Sequence, residues 1–170
     1  LDLNGQEITA DVDNLFGSIY VNKTGNLTVK DETGKGKITN TAGTAIGNYG
    51  TVTVEGGTIA AAEDSAGAAL YNFNYQGELY GTSTIAGGTM KSPVWNCGVM
   101  TITGGTLNDI DNSGKMDITG EEVLVEGTII GQDGTDAPGV EGAGTLTITA
   151  GTYHSDPTEW VAEGYVAEVV

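Results

Sequence analysis

One short phrase recurs along the chain with variation, and it constrains the fold more than any other feature. It reads Gly-Thr-Val-Thr-Val-Glu-Gly-Gly-Thr at 50–58, Gly-Val-Met-Thr-Ile-Thr-Gly-Gly-Thr at 98–106 and Gly-Thr-Leu-Thr-Ile-Thr-Ala-Gly-Thr at 144–152. Such self-similarity is typical of stacked coils, each of which buries its apolar side only against its neighbours. The repeat therefore predicts a solenoid scaffold, and a scaffold of this kind can carry many activities.

Within the phrase, apolar residues alternate with threonine, which is the period-two pattern of a strand with one wet face. The valine or isoleucine that anchors the phrase recurs at unequal steps, so we expect about six irregular coils. A second resemblance to the phrase, at 123–129, suggests an inserted strand from Gly120 to Val125. The residues expected to face inward are Leu27, Val29, Val52, Val54, Ile85, Met100, Ile102, Met116, Ile118, Leu146 and Ile148.

Glycine and asparagine recur at the predicted corners between strands. Glycine enters left-handed backbone regions at no steric cost, which a sharply bending chain requires. Asparagine can hydrogen bond along a stack to the same residue one coil away. The asparagines expected to do so are Asn22, Asn48, Asn74, Asn96 and Asn112.

The end of the chain carries its only clear helix signal. Asp156, Pro157 and Glu159 supply an N-cap, a proline at the first helical position and an early acid. We expect a short capping helix over 157–163 and a last strand over 165–170, with Trp160 covering the final coil. The prediction is one β-solenoid domain over 1–170, with coils over 1–153 and a C-terminal cap over 154–170. Because no initiator methionine opens the chain, we expect it to be part of a longer protein.

Composition excludes several partners. Against 23 acidic residues stand six basic ones, all lysine, and the net charge is −17. Such a chain repels phosphate and lacks the guanidinium group that usually binds it, so nucleic acid is a very poor candidate partner and anionic membrane surfaces are disfavoured. No apolar run is long enough for membrane insertion. Strong like charge also favours a monomer, and Cys97, the single cysteine, leaves no internal disulfide.

The phrase at 45–54, Ala-Ile-Gly-Asn-Tyr-Gly-Thr-Val-Thr-Val, and the opening Leu-Asp-Leu-Asn-Gly-Gln-Glu-Ile-Thr resemble repeats of a known group. These are the right-handed parallel β-helix repeats of adhesin-like bacterial surface proteins, within the pectate-lyase-like superfold. The segment 151–165 is similar to the closing repeat of that group. The resemblance implies an all-β, right-handed parallel β-helix at the bacterial cell surface or secreted. The resemblance says little about activity, because the shared residues are structural.

Catalysis and metal binding have few candidates. Lyases of the superfold usually use an arginine base, and this chain has no arginine. Hydrolysis would need two carboxylates, for which Asp109 with Asp111 and Asp133 with Asp136 are available. Asp109, Asp111 and Asp117 partly match a calcium loop, although Gly120 stands where its final glutamate belongs. We expect His154, the sole histidine, at the surface, and we expect no cofactor.

The least repetitive stretch is aromatic: Tyr71, Phe73 and Tyr75, followed by Tyr80 and by Trp95 one coil later. If the rings face outward they form a platform on which sugars stack, and if inward they are core under a long coil. The sequence thus favours a non-catalytic extracellular module that contacts polysaccharide or a cell-surface glycan. A polysaccharide-degrading enzyme and a structural spacer are the alternatives. Ice binding by the threonine pairs is disfavoured, because unequal coils would break a lattice match.

Overall fold

In the computed structural model, which describes residues 1–62, 67–166 and 168–170, nearly all regular structure is parallel β-sheet. One turn of 3-10 helix, Thr158–Trp160, is the single helical element of the described residues. The strands are β1 (Glu7–Ala10), β2 (Ile19–Val21), β3 (Asn26–Val29), β4 (Lys37–Asn40), β5 (Ile46–Asn48), β6 (Thr51–Val54), β7 (Thr58–Ala61), β8 (Leu70–Asn72), β9 (Asn74–Tyr75), β10 (Leu79–Tyr80), β11 (Thr82–Ile85), β12 (Thr89–Met90), β13 (Val94–Asn96), β14 (Val99–Leu107), β15 (Ile110–Asn112), β16 (Lys115–Val125), β17 (Ile129–Gly131), β18 (Thr145–Ile148), β19 (Thr152–Tyr153) and β20 (Glu168–Val169).

All of these strands except β9 and β10, which form an antiparallel pair, lie in three parallel rows. Row A contains β3, β6, β11, the first halves of β14 and β16, and β18. Row B contains β1, β4, β7, β12, the second halves of β14 and β16, β19 and β20. Both rows belong to one 12-stranded sheet, whereas row C, made of β2, β5, β8, β13, β15 and β17, is a separate six-stranded sheet. The chain visits C, A and B in turn, which confirms the all-β, parallel, β-solenoid-like prediction.

The predicted anchors of the repeat stack in register along row A. Val29 pairs with Val54, and the column continues through Ile85, Ile102, Ile118 and Ile148. All six are buried, as are the other residues predicted to face inward except Leu27, which is partly buried against the core. The unequal steps of the sequence do not disturb this register, because the extra residues lie outside row A.

Rows B and C supply matching columns that the repeated phrase does not reveal. In row B the buried column is Ile38, Ile59, Met90, Leu107, Val125 and Tyr153. In row C it is Ile46, Leu70, Val94, Ile110 and Ile129. Each column packs its apolar side chains into a single core cluster between the rows, where burial of apolar surface stabilises the stack.

The strand expected as an insertion at Gly120 to Val125 is the second half of β16 and holds an ordinary place in row B. Leu124 and Val125 pair with Thr106 and Leu107, as any other strand of the row would. The pairing of β14 with β16 shifts register between Ile102 and Gly104. A β-bulge of this kind absorbs extra residues in one strand without breaking the ladder, so the phrase-like pattern here does not mark an added element.

The corner glycines serve two different purposes. Gly57, Gly88 and Gly105 have φ of 88°, 82° and 99°, so they need the left-handed region as predicted. Gly98 and Gly114 do not have positive φ, and a side chain there would instead overlap the backbone carbonyl of the preceding coil. Close stacking of coils, and not backbone handedness, requires glycine at these two positions.

Asparagine forms a buried ladder at the corner between rows C and A. Each Nδ2 donates to the Oδ1 of the next rung: Asn48 to Asn72 at 2.9 Å, Asn72 to Asn96 at 2.8 Å, and Asn96 to Asn112 at 2.7 Å. The predictions for Asn22 and Asn74 were wrong. Exposed Asn22 accepts hydrogen bonds from Thr24 instead, and Asn72 takes the rung expected of Asn74 because Asn74 has already left the row.

The C-terminal segment is less regular than expected. In place of a helix over 157–163 there is one turn, and in place of a strand over 165–170 there is β20. The helix stops because Val161 turns to extended backbone and forms a parallel bridge with Ile148. Trp160 and Val161 pack against the core. No helix among the described residues has both the length and the hydrophobicity needed to cross a membrane.

Candidate functional site

The corner between rows C and A is where the chain departs from its own repeat. Three coils turn there through a single residue between asparagine and glycine, as in Asn96-Cys97-Gly98. Two other coils insert longer segments at the same point: a hairpin over 74–80, between Phe73 and Gly81, and a loop over 133–143, between Gln132 and Gly144. The corner residues stack, because the backbone N–H groups of Phe73, Cys97, Ser113 and Gln132 donate to the carbonyls of Asn48, Asn72, Asn96 and Asn112.

The hairpin and the loop contact each other across the two bare corners that separate them. Asn74 Nδ2 donates to the carbonyl of Pro138 at 3.0 Å. Gly77 and Gly139, with φ of 77° and 79°, approach so closely that a Cβ on Gly139 would lie 2.5 Å from the Gly77 carbonyl oxygen. We call this pair of segments the arch. It spans the corner residues Cys97 and Ser113.

A cavity of about 140 Å³ lies at the arch, and we call it cavity I. Tyr71, Trp95 and Asp111 are in register at the middle of β8, β13 and β15. In a three-residue strand the middle side chain points away from the core when its neighbours point inward, which puts these three on the outer face of row C. The lining residues are Tyr71, Trp95, Asn96, Cys97, Asp111, Ser113, Gln132 and Asp136.

The polar groups of cavity I are only partly engaged. Asp111 Oδ1 accepts from Gln132 Nε2 at 3.2 Å. Ser113 is 6% exposed, yet among the described residues its hydroxyl has no hydrogen-bond partner. The carboxylate of Asp136, which the loop carries, likewise has none in the described part of the chain. These groups remain free to bind a ligand.

The carboxylates make cavity I electrostatically negative. Burial raises the pKa of the Cys97 thiol, and the charges of Asp136 and Asp111 raise it further, against a hydrogen bond to Tyr71. Burial also raises the pKa of the Tyr71 hydroxyl, with contributions from Cys97 and Asp136. No lysine is among the lining residues to offset these charges.

The aromatic rings form a cluster outside the core. Tyr71 packs against Trp95 edge-on, with ring centroids 5.4 Å apart, and stacks on Phe73 at 3.8 Å. Phe73 in turn stacks on Tyr49 at 4.8 Å. Phe73 is buried but does not join the core cluster, and Tyr75 is 51% exposed. Tyr71, Phe73 and Tyr75 therefore do not share one strand face, because β8 ends at Asn72 and the hairpin follows.

A second, more open cavity of about 330 Å³, cavity II, lies at the other end of the cluster. Its lining residues are Phe16, Tyr20, Asn22, Lys23, Tyr49 and Tyr75. Sequence reasoning missed Phe16, Tyr20 and Tyr49. The register offers a signal for two of them, since Tyr20 occupies the same column as Tyr71, and Tyr49 the same corner as Phe73. Tyr80, by contrast, is exposed on the hairpin and lines neither cavity.

No protein-family profile, curated protein or solved structure matches the chain. The residues that line the two cavities are therefore the guide to their chemistry. Cavity I combines aromatic faces, unengaged carboxylates and a hydroxyl in a fixed frame. Such a mixture of apolar surface with a few placed polar groups is typical of small-molecule sites.

The fold does not keep the predicted pairs of aspartates together. Asp109 Oδ1 accepts hydrogen bonds from the Thr128 N–H and hydroxyl, both at 2.8 Å, and lines a different cavity from Asp111. Asp133 accepts from the hydroxyl and N–H of Thr135 in its own turn, which lowers its pKa. Cavity I therefore brings together Asp111 and Asp136, one from each predicted pair.

The calcium candidates do not converge. Asp117 lies in row A, in register with Thr101 and Thr147, whereas Asp111 lies in row C. The described residues contain no group of three or more His, Cys, Asp or Glu side chains that could hold a metal ion. His154 is exposed, as expected.

Threonine residues do stack in columns along row A, although the unequal repeat steps were expected to prevent a regular array. Thr53, Thr84 and Thr101 are in register despite the unequal repeat steps. Asp117 then interrupts this column, and Val99 and Lys115 interrupt the neighbouring one. The face therefore lacks the uniform threonine array on which the ice-binding alternative depended.

Proposed function

We propose that this chain is a non-catalytic extracellular module of a bacterial cell-surface protein, and that it contacts glycan on the outer face of row C. The scaffold for this role is a right-handed parallel β-helix of about six coils. The observation that carries the proposal is cavity I, where Tyr71 and Trp95 stand beside Asp111, Gln132 and Asp136. Sugar rings stack their apolar faces on aromatic side chains, and their hydroxyls bond to carboxylates and amides.

The setting of the cavity supports a binding role. Tyr71, Trp95 and Asp111 project from neighbouring paired strands whose inner faces are fully buried, so the site is preorganised. Preorganisation lowers the entropic cost of binding a ligand. Cavity II extends the aromatic surface toward Tyr20, which gives a longer glycan a second place to stack. The net charge of −17 disfavours acidic polysaccharides and self-association alike.

A glycan array tests the proposal with the wild-type chain, Trp95→Ala and Tyr165→Ala. Tyr165 serves as the control because it is a surface aromatic residue, 54% exposed, that lies outside both cavities. We expect Trp95→Ala to weaken binding about thirtyfold, since truncating an aromatic hot spot costs about 2 kcal/mol or more. Tyr165→Ala should bind like wild type. If no glycan binds, the proposal fails and the spacer alternative takes its place.

The pairing of Asp111 with Asp136 in one cavity favours a second candidate, a polysaccharide hydrolase. It predicts that glycans retained on the array are also shortened on incubation with the protein, and that Asp111→Asn and Asp136→Asn each abolish the shortening. Chromatography of the products distinguishes the two functions. Retention of intact glycan after long incubation excludes the enzyme and leaves the binding module.

A further inference from the structure

The charge of cavity I restricts what it can bind. Asp111 and Asp136 both line it, and no lysine or histidine does. Asp111 has one neutral amide partner, and Asp136 has none among the described residues. A carboxylate-bearing ligand would meet two like charges there, which repel it. A positively charged group, in contrast, would find two charge-assisted acceptors.

The aromatic wall of the cavity suits a cation as well. Tyr71 and Trp95 meet edge-on with an interplanar angle of 86°, so their ring faces point in different directions around the cavity. The face of an aromatic ring attracts an ammonium group placed within about 6 Å of its centre, and tryptophan does so most strongly. Phe73 already covers one face of Tyr71, so Trp95 supplies the more available ring of this wall.

Ser113 adds a hydroxyl to the same cavity. The residue is 6% exposed and lines the cavity, and its hydroxyl has no partner in the described part of the chain. Its Oγ is not a fully buried atom, so the hydroxyl is accessible from the cavity. The hydroxyl oxygen can accept a hydrogen bond from an ammonium group in the cavity.

We infer that cavity I binds a protonated primary amine, and that the glycan recognised at this site therefore contains an amino sugar with a free amino group. This inference rests on the proposed function and narrows it to a ligand class. Asp111 and Asp136 accept from the ammonium group, Trp95 and Tyr71 cover it, and the sugar ring continues along the aromatic cluster.

Three hexasaccharides that share one β-1,4-linked backbone test the inference by titration calorimetry. They are the hexamers of glucose, of N-acetylglucosamine and of glucosamine, which differ mainly in the group at C2. We expect the glucosamine hexamer to bind at least about tenfold more tightly than the other two, since charge-assisted hydrogen bonds are roughly twice as strong as neutral ones. Equal affinities for all three overturn the amine inference but leave glycan binding intact.

Charge variants separate the cavity from the general acidity of the chain. Asp111→Asn with Asp136→Asn should reduce the preference for glucosamine to less than about twofold. Glu121→Gln with Glu122→Gln removes the same charge from exposed residues outside the cavity and should leave the preference unchanged. Equal losses in both double variants overturn the inference. Should the first double variant fail to fold, Asp136→Asn alone replaces it, since this exposed carboxylate has no partner among the described residues.

Discussion

At the scale of single residues, buried asparagine side chains connect one coil to the next. Asn96 accepts from Asn72 and from the Gly98 N–H, and donates to Asn112 and to the Lys115 carbonyl. It is fully buried, so each broken bond would leave a polar group without water. The ladder therefore adds directional hydrogen bonds to a core that is otherwise held together by non-directional apolar contacts.

We predict that Asn96→Ala lowers the free energy of unfolding by about 3 kcal/mol, because each buried group left without a partner costs about 1–3 kcal/mol. Asn22→Ala is the matched control, since Asn22 is exposed and bonds only within its own turn. It should change stability by less than about 0.5 kcal/mol. Urea unfolding of both variants measures the difference, and similar losses would mean that the ladder adds nothing specific.

Asp31 fixes the first corner of the stack and makes stability depend on pH. It accepts from the Gly5 and Gly36 N–H groups, both at 2.8 Å, and from the Thr33 hydroxyl at 2.9 Å. Burial acts to raise the pKa of Asp31, but these hydrogen bonds outweigh it and the pKa is lowered. A lowered folded-state pKa means stability that is present above the unfolded-state pKa and is lost as pH falls through the folded-state value.

We therefore predict that Asp31→Asn lowers the Tm at neutral pH, and that the gap from wild type narrows as the pH falls below about 4. Thermal unfolding across a pH series measures the gap. Asp13→Asn removes the same charge from an exposed carboxylate to which no described residue hydrogen bonds, so it controls for net charge. A gap that stays constant with pH would show that the Asp31 hydrogen bonds do not depend on its ionisation.

At the scale of elements, the hairpin over 74–80 is an addition to a corner that closes without it. The Gly81 N–H already donates to the Phe73 carbonyl at 2.9 Å, and Asn72 and Gly81 occupy the places of Asn96 and Gly98. Deleting 74–80 would restore the three-residue corner of the bare coils. The pairing of β11 with β6 and β14 does not involve any residue of the hairpin.

We predict that the deletion variant folds with an unchanged far-ultraviolet spectrum and cooperative unfolding, but loses glycan binding at cavity I. The loss follows because the loop over 133–143, which carries Asp136, loses its contacts with Asn74 and Gly77. Circular dichroism and titration calorimetry together test this. Retained binding would show that the arch is dispensable, and a collapse of the spectrum would show that the hairpin belongs to the scaffold.

The sequence predicted row A well because the repeated phrase encodes it directly. Val54 and Ile85 could be aligned by pattern alone, and they pair in the structure. The buried columns of rows B and C lie outside the repeated phrase, so they could be recognised only from the strand pairing in the structure. The arch could not be predicted, since Asn74 and Pro138 lie far apart in sequence and each segment is locally an ordinary loop. The candidate residues Tyr71 and Trp95 were found, but their neighbours Asp111 and Asp136 were assigned to other pairs.

At the scale of the whole molecule, a regular stack carries one irregular corner, and the proposed glycan site lies there. The scaffold stacks its strands in register, and the two insertions meet over two plain coils beside cavity I, to which the loop contributes Asp136. In the site we propose, Asp111 and Asp136 set the sign of the ligand's charge, and the aromatic cluster sets its shape. The central claim is that glycan binds at Trp95.

The chain contains two tryptophans, and nitrogen-15 NMR of their indole N–H groups tests this claim directly. Trp95 lines cavity I, whereas Trp160 packs against the core near the C-terminus and serves as an internal control. On titration with the glucosamine hexamer, we predict that the Trp95 indole signal moves saturably while the Trp160 signal stays in place. An unmoved Trp95 signal, or equal movement of both, would contradict the account.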